Sequence, residues 1–345
     1  MQHTYSADFE SPSNIALVKY WGKKPGVQLP ANPSISFTLD KAVTDTSFKV
    51  FSKNSSEKYD LHFEFEGNPN PAFKEKLIKY FDKINAEFPF LTEYKLEISS
   101  SNTFPHSSGI ASSASSMSAL ALCICDLHEQ ITGTSFENFH QKASEIARIG
   151  SGSASRSIYP GLVMWGEHQD YDGSSDFYAI PFNTANQVFM GYHDVILIVE
   201  KGQKKVSSSA GHSLLEKHPF AKQRYETANV NMHRIKTILE DGDIDGFIEI
   251  VESEALMLHA LMMASTPSFI LMKPNTLAII EKIREFRSAN KIPVCFTLDA
   301  GANVHVLFPD QYAIQVMEFV QKDLVVYCEE GTYFCNRIKL PDLVL

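Results

Sequence analysis

Pro105-His-Ser-Ser-Gly-Ile-Ala-Ser-Ser-Ala114 is the stretch on which the reading of this chain turns. Tyr94 to Ser100 before it alternates as a strand does, and the apolar run after it, ending near Leu127, is long enough for a helix. A glycine- and serine-rich loop that opens a helix offers free backbone N–H groups and hydroxyls to phosphate oxygens, an anion cradle in principle. Serine is also a favoured N-cap, so an arbitrary loop of this composition more often marks only a capped helix. The string G-x-x-x-x-G-K-[ST] is absent, which excludes the common P-loop.

Upstream of the loop, Asn14 to Tyr20, Ser34 to Leu39, Thr44 to Val50 and Tyr59 to Glu66 read as strands, and Pro71 to Phe88 as a helix with Phe73, Leu77, Tyr80, Phe81 and Ile84 at three- and four-residue spacings. Downstream, Thr134-Ser-Phe-Glu137 is a capping box that predicts a helix to Ile149. A second small-residue cluster, Gly150-Ser-Gly-Ser-Ala-Ser-Arg-Ser157, precedes Gly161 to Trp165, and Tyr171 to Asp176 reads as an exposed loop. A strand from Val188 to Val199 opens a second unit. Helices follow over Pro219 to Leu239, Ile244 to His259 and Thr276 to Ser288, then strands Val294 to Leu298 and Val304 to Phe308 around the turn Asp299 to Asn303. A helix Tyr312 to Lys322 and a strand Leu324 to Cys328 complete it. The mixture lacks a regular βαβ rhythm, so we read an α+β chain of two domains, 1–185 and 186–345.

With 345 residues, 44% hydrophobic and 21% charged, the chain can bury a sizeable core and falls in the ordinary globular range. Thirty-one basic against 41 acidic residues leave a net charge of -10, which argues against nucleic acid or an anionic membrane as partner. An anionic ligand must therefore meet a local basic pocket. No apolar run approaches the roughly 20 residues of a membrane helix, and the N-terminus lacks a signal-peptide layout, so a cytoplasmic protein is expected. Five cysteines without a C-x-x-C pair indicate neither a disulfide framework nor a zinc ribbon, and Cys123 and Cys125 read as core. The histidines His106, His193 and His305 have no metal-ligand spacing, and no metal site is assigned.

Three charged residues stand out. Lys19, in a strand beside Ile15 and Leu17, would be a costly buried ammonium without a partner anion, although an isolated edge lysine would more often reach solvent. Arg156 lies among glycine and small hydroxyl residues that leave room for its planar fork to hold a carboxylate or phosphate, helix capping being the plainer alternative. Asp299 stands at a strand end, where aspartate usually just forms an Asx-turn.

The loop Pro105-x-x-x-Gly109-Ile-x-Ser112-Ser113-Ala114 resembles the ATP-phosphate loop of the GHMP kinase superfamily. Asn14-Ile-Ala-Leu-Val-Lys-Tyr-Trp-Gly-Lys23, Gly150 to Ser157 and Thr297-Leu-Asp-Ala-Gly-Ala-Asn303 are similar, in order, to strings typical of the mevalonate diphosphate decarboxylases, and Lys204-Lys-Val-Ser-Ser208 resembles that family's segment early in the second domain. Ala302 stands where proline is common. The resemblance implies the GHMP fold: a first domain like part of ribosomal protein S5, a ferredoxin-like second domain, and the active site between them.

It also implies ATP and Mg²⁺ as cofactors, a homodimer, and a small anionic substrate, mevalonate 5-diphosphate, phosphorylated on its 3-hydroxyl and decarboxylated to isopentenyl diphosphate. Residue by residue, the catalytic group would be Asp299, Lys19, Arg156 and Asn14. Ser107, Ser108, Gly109, Ala111, Ser112 and Ser113 would hold ATP, and Tyr20, Lys23, Ser153, Ser155 and Ser208 the substrate. A 5-phosphate decarboxylase, a sister 3-hydroxyl kinase and a catalytically silent GHMP-fold binding protein are the alternatives. The joint presence of Lys19, Arg156 and Asp299 disfavours the second, and the phosphate loop with its acid the third.

Overall fold

The computed structural model describes residues 4–24, 28–104, 111–202, 211–212 and 214–340. Two sheets organise them. In the first, β1 (Tyr5–Val18) pairs along one edge of the long β2 (Ser34–Ser52), with shifts of register at Pro12/Asn14 and Ala16/Val18. Along its other edge β2 takes two partners in turn: its first residues pair with β6 (Leu162–Trp165), its last with β5 (Tyr94–Asn102). β3 (Asp60–Phe65), β4 (Asn68–Pro69) and β7 (Ala179–Pro181) extend the two ends.

α1 (Pro71–Ile84) starts where Asn70 accepts a hydrogen bond from the Phe73 N–H at 3.0 Å and proline fills the first turn. α2 (Phe90–Glu93) is one turn before β5. α3 (Ser112–Thr132) and α4 (Phe139–Gly150) pack with α1 over Phe48, Val50, Leu96 and Ile98 of the sheet. α3 is the central helix and is buried nearly all round from Ala114 to Leu127, Cys123 and Cys125 included, which is why it shows little polar face. It ends at Gly133, whose φ of 69° suits the left-handed cap.

The second sheet runs β11 (Tyr333–Arg337), β8 (Tyr192–Leu197), β10 (Val304–Pro309), β9 (Cys295–Leu298), all antiparallel. Counted along the chain this is the order 4-1-3-2 of a ferredoxin-like domain. After the short α5 (Gln187–Met190) come α6 (Ala221–Asp241), α7 (Ile244–Met263), α8 (Pro274–Asn290) and α9 (Ala313–Phe319). One face of the sheet, with Val195, Leu197, Phe296, Val306 and Phe308, packs on Ile279, Ile283, Val316 and Phe319. The other face joins Ile15, Leu17, Phe37 and Leu39 of the first sheet and Met232, Ile235, Phe247 and Val251 of α6 and α7 in one continuous core. Ile338 makes a bridge to Leu39, and the Arg337 N–H donates to Asp40 Oδ1 at 2.7 Å, so the last strand ties back onto β2.

Several expected elements differ. Asn14 to Tyr20 is the end of a strand that starts at Tyr5 and stops at Val18, and Ser34 to Leu39 and Thr44 to Val50 are one strand. The helix after Glu137 begins at Phe139, capped by Asn138 rather than by the capping box: the Phe136 N–H donates to Glu129 Oε1 at 2.7 Å, which holds that segment as a turn against α3. Tyr171 is buried and donates to the Met232 carbonyl at 3.0 Å, so the loop to Asp176 is docked at one end. Val188 to Met190 is helical because the Asn186 side chain caps that turn, and the strand starts only at Tyr192. Leu324 to Cys328 is not a strand but the end of a π turn (Val320–Leu324) and a 3-10 turn (Val325–Tyr327) with Val326 75% exposed. The edge strand is the later Tyr333–Arg337.

Candidate active site

Lys19 follows the last residue of β1 and is only 3% exposed, at the seam between the two sheets. Its Nζ donates to the Ala16 carbonyl at 2.5 Å. Burial lowers its pKa to about 8, against the raising pull of Asp299, Glu254 and Asp194 and together with repulsion from Arg156. The next residue, Tyr20, meets the Trp165 ring edge to face at 4.7 Å and the His212 ring at 4.4 Å. Its hydroxyl is buried with no hydrogen-bond partner among the described residues, and burial holds its pKa above the ordinary phenol range. Lys23, half-buried, donates to Gln28 Oε1 at 2.9 Å, and burial lowers the pKa of its ammonium.

The small-residue cluster forms a 3-10 turn, Gly152–Ile158. A Cβ on Gly152 would lie 2.7 Å from the Tyr20 hydroxyl, so glycine lets this turn approach Tyr20 closely. The turn delivers Arg156, 2% exposed, under β1 and β2. There its Nε donates to Ser36 Oγ at 3.0 Å, Nη1 to Ser34 Oγ at 2.7 Å and Nη2 to Asn14 Oδ1 at 3.2 Å. All three partners are neutral. Burial therefore lowers the guanidinium pKa to about 10 against the pull of Tyr20 and Asp299. Asn14 is held in turn by donating to Ser157 Oγ at 2.7 Å and to the Ser153 carbonyl at 3.1 Å. Ser155 faces inward, its hydroxyl donating to the Gly152 carbonyl at 2.8 Å, so it shapes the turn. Ser153 is half-buried.

Asp299 leaves β9 in a turn braced from three sides. His259 Nε2 of α7 lies 3.1 Å from the Asp299 carbonyl, Thr276 of α8 donates to the Ala302 carbonyl at 2.6 Å, and Asn303 Oδ1 accepts the N–H groups of Val199 at 2.8 Å and Glu200 at 3.0 Å. The charge of Asp299 acts on Lys19, Arg156 and His212, which puts the three within electrostatic reach of its carboxylate. His212 Nδ1 accepts the Gly22 N–H at 2.9 Å, so the neutral ring carries its proton on Nε2. Burial, with repulsion from Lys23, pushes its pKa down to about 3.

α3 starts nearby with no side-chain cap. Ala111 is left-handed, with φ of 45°, and Ser113 Oγ lies 3.3 Å from Ser151 Oγ beside the Arg156 turn. The first N–H groups of a 21-residue helix thus present the positive end of its dipole, a natural seat for phosphate oxygens. Ser107, Ser108 and Gly109 of the same loop, and Ser208, lie outside the described residues, as does His106. His193 and His305 pair with Asp310 at 2.7 Å and Asp194 at 2.8 Å. Among the described residues no three His, Cys, Asp or Glu side chains gather as a metal site, and no helix is long and apolar enough to cross a membrane.

Asn14 and Arg156 are therefore bonded, Tyr20 lies against the same turn, and Lys19 and Arg156 are within electrostatic reach of Asp299, while Ser155 supports the turn behind them. Sequence reasoning missed Ser34 and Ser36, whose period-two hydroxyls on an otherwise apolar strand are a readable signal of a buried polar partner. His212, Arg224 and Glu254 left no such signal.

The chain matches the family model for the diphosphomevalonate decarboxylase-like N-terminal domain over residues 11–179 and that for the mevalonate 5-diphosphate decarboxylase C-terminal domain over 194–341. It is 30% identical to the diphosphomevalonate decarboxylase of Ganoderma lucidum, covering 92% of this chain and 82% of that one, and 30% identical to that of Saccharomyces cerevisiae, covering 92% and 81%. It superposes on the mevalonate diphosphate decarboxylase of Staphylococcus aureus with a TM-score of 0.83 at 30% identity, over 96% of this chain and 95% of that one. A structure of MDDEF in complex with MVAPP, AMPPCP and magnesium is similar at a TM-score of 0.82 and 26% identity, over 97% of both chains. The α+β architecture is thus the GHMP fold, with its S5-like first and ferredoxin-like second domain. With two domain models in register and relatives alike over most of their length, this chain belongs to the diphosphomevalonate decarboxylase family.

Proposed function

We propose that this enzyme uses ATP to phosphorylate the 3-hydroxyl of mevalonate 5-diphosphate and then releases phosphate and CO₂ to give isopentenyl diphosphate. The reading is carried by one observation: two buried cations, Lys19 and Arg156, share the field of Asp299 in the seam between the sheets. Two cations in so dry a place suit a substrate with several negative charges.

Asp299 takes the proton of the 3-hydroxyl, or aligns it, as that oxygen attacks the γ-phosphate. Lys19 shares the field of that carboxylate and faces the charge that builds on the transferred group. Arg156, its fork set by Ser34, Ser36 and Asn14, holds the substrate carboxylate. Once the 3-phosphate is in place its C–O bond breaks, the carboxylate's C–C electrons form the new C=C bond, and CO₂ leaves. Tyr20, Lys23, Ser153 and Ser208 are assigned to the 5-diphosphate, and Ser155 keeps its place behind them. The opening of α3, Ala111 to Ser113, with Ser107, Ser108 and Gly109, is assigned to the phosphates of ATP. Mg²⁺ would ride on those phosphates and water and supply charge neutralisation. We further propose a cytoplasmic homodimer divided into domains 1–185 and 186–345.

One panel tests the reading: mevalonate, its 5-phosphate and its 5-diphosphate, each with ATP and Mg²⁺, scored separately for ADP and CO₂. Equal ADP and CO₂, with the highest kcat/KM for the 5-diphosphate, is expected. Preference for the 5-phosphate would move the substrate, ADP alone would make the protein a kinase, and neither product would leave a silent binder.

A further inference from the structure

Two charged residues of the second domain close on the backbone of Lys19. The Lys19 N–H donates to Glu254 Oε2 at 2.8 Å, and the Lys19 carbonyl accepts from Arg224 Nη2 at 2.8 Å. Arg224, on α6, and Glu254, on α7, also join each other fork to fork, Nη1 to Oε1 at 2.8 Å and Nη2 to Oε2 at 2.7 Å. Asn231 donates to Glu254 Oε1 at 2.7 Å, and Asn32 to the Lys19 carbonyl at 3.0 Å. Arg224 is 2% exposed and Glu254 0%.

An ion pair this deep is a poor source of stability, since desolvation offsets most of its attraction and apolar side chains of similar volume would serve as well. It is, however, a stiff ruler. Both polar groups flanking the Lys19 α-carbon are anchored to one bidentate unit, while Lys19 belongs to the first domain and the unit to the second.

We propose that Arg224 and Glu254 are positioning residues that fix the Lys19 backbone, and so its ammonium, with respect to Asp299. The proposal rests on the reading of Lys19 given above. Without touching substrate, the pair supplies a geometry that the end of a strand beside a register shift could not hold alone. The charges facing Lys19 are Asp299 on the β9 turn, Glu254 on α7 beside its partner Arg224 on α6, Arg156 on the 3-10 turn and Asp194 on β8. Glu254 is the one that both grips the backbone and favours the ammonium.

The test compares Glu254→Gln and the neutral double variant Arg224→Gln/Glu254→Gln with the wild type. The double variant removes both charges together and so guards against a single variant that fails to fold. We expect kcat to fall about tenfold or more in both folded variants, with KM for ATP moving less than about twofold. The alkaline limb of kcat should move down by about one pH unit in Glu254→Gln and return toward wild type in the double variant. A merely structural strut would lower Tm and leave kcat per folded enzyme and the limb unchanged. Hydrogen–deuterium exchange of the 14–24 segment and titration of the Lys19 ¹³Cε resonance, assigned by its loss in Lys19→Met, read the grip without turnover. Faster exchange with a lowered titration supports the proposal even if the wild type decarboxylates nothing, in which case only the functional reading fails. Unchanged exchange and titration in both variants overturn it whatever the wild type turns over.

Discussion

Arg156 donates to Asn14 Oδ1 at 3.2 Å, an amide where a carboxylate would have formed a closed ion pair. With its other partners the hydroxyls of Ser34 and Ser36, the guanidinium is oriented by neutral groups, so no carboxylate takes up these three bonds.

Arg156→Lys tests that arrangement, since an ammonium cannot reach three partners spread around a planar fork. Decarboxylation should fall about 10²-fold or more, mostly through substrate binding and alignment. Near-normal kcat/KM would show that charge alone, and not the fork, is needed.

Asp299→Asn keeps shape and turn while removing the basic oxygen. A loss in kcat of about 10²–10⁴ is expected, with ATP and substrate still bound and the fold intact by circular dichroism. ADP and CO₂ should fall together. A variant that releases ADP without CO₂ would place Asp299 after phosphoryl transfer.

Lys19 has its pKa lowered from 10.5 to about 8, so the ammonium form, and activity with it, should be lost as pH rises through about 8. The unfolded chain holds that proton up to the ordinary value. The charged lysine therefore costs the native state stability below about 8, and the cost is relieved as pH rises from there to 10.5. Lys19→Met should then abolish turnover and raise stability at neutral pH by on the order of 1–3 kcal/mol, read as a higher Tm. A lower Tm would show that the lysine is better compensated than its surroundings suggest.

Tyr20→Phe removes a buried hydroxyl that has no partner among the described residues. Stability should stay within about 0.5 kcal/mol or rise. The KM for the phosphorylated substrate should increase about tenfold if that hydroxyl waits for a phosphate oxygen. An unchanged KM would remove Tyr20 from the binding site.

Ser112→Ala should lower kcat/KM for ATP by about 10- to 100-fold, the worth of a hydrogen bond to a charged oxygen. Ser113 is the second candidate, already near Ser151. If both single variants keep wild-type ATP kinetics, the α3 opening does not bind the nucleotide.

Much of this was legible because it is local. The alternation of Tyr59 to Glu66, the spacing of Leu77, Tyr80, Phe81 and Ile84 and the motif residues around Lys19, Arg156 and Asp299 each carry their signal within a few positions. The unity of β2 was not legible. Asp40-Lys41 interrupts the apolar pattern between Ser34–Leu39 and Thr44–Val50, yet it is the polar point in one strand near where the partner changes from β6 to β5. Val325-Val-Tyr327 has strand propensity but turns on the surface, because propensity yields to packing. Arg224 and Glu254 lie 30 positions apart on different helices, and only the tertiary fold reveals that they meet.

The core that runs from Ile15 and Phe37 to Ile196 and Leu307 is continuous where the two sheets join. A chain cut near Ala185 would leave each fragment with a large greasy wound, and neither should stay soluble when made by itself. Made together, they should find one another, because each supplies the surface the other lacks. Lys19 and Arg156 would arrive on one fragment and Asp299 on the other. CO₂ release would then report the reunion of two separately encoded pieces, with no background from either.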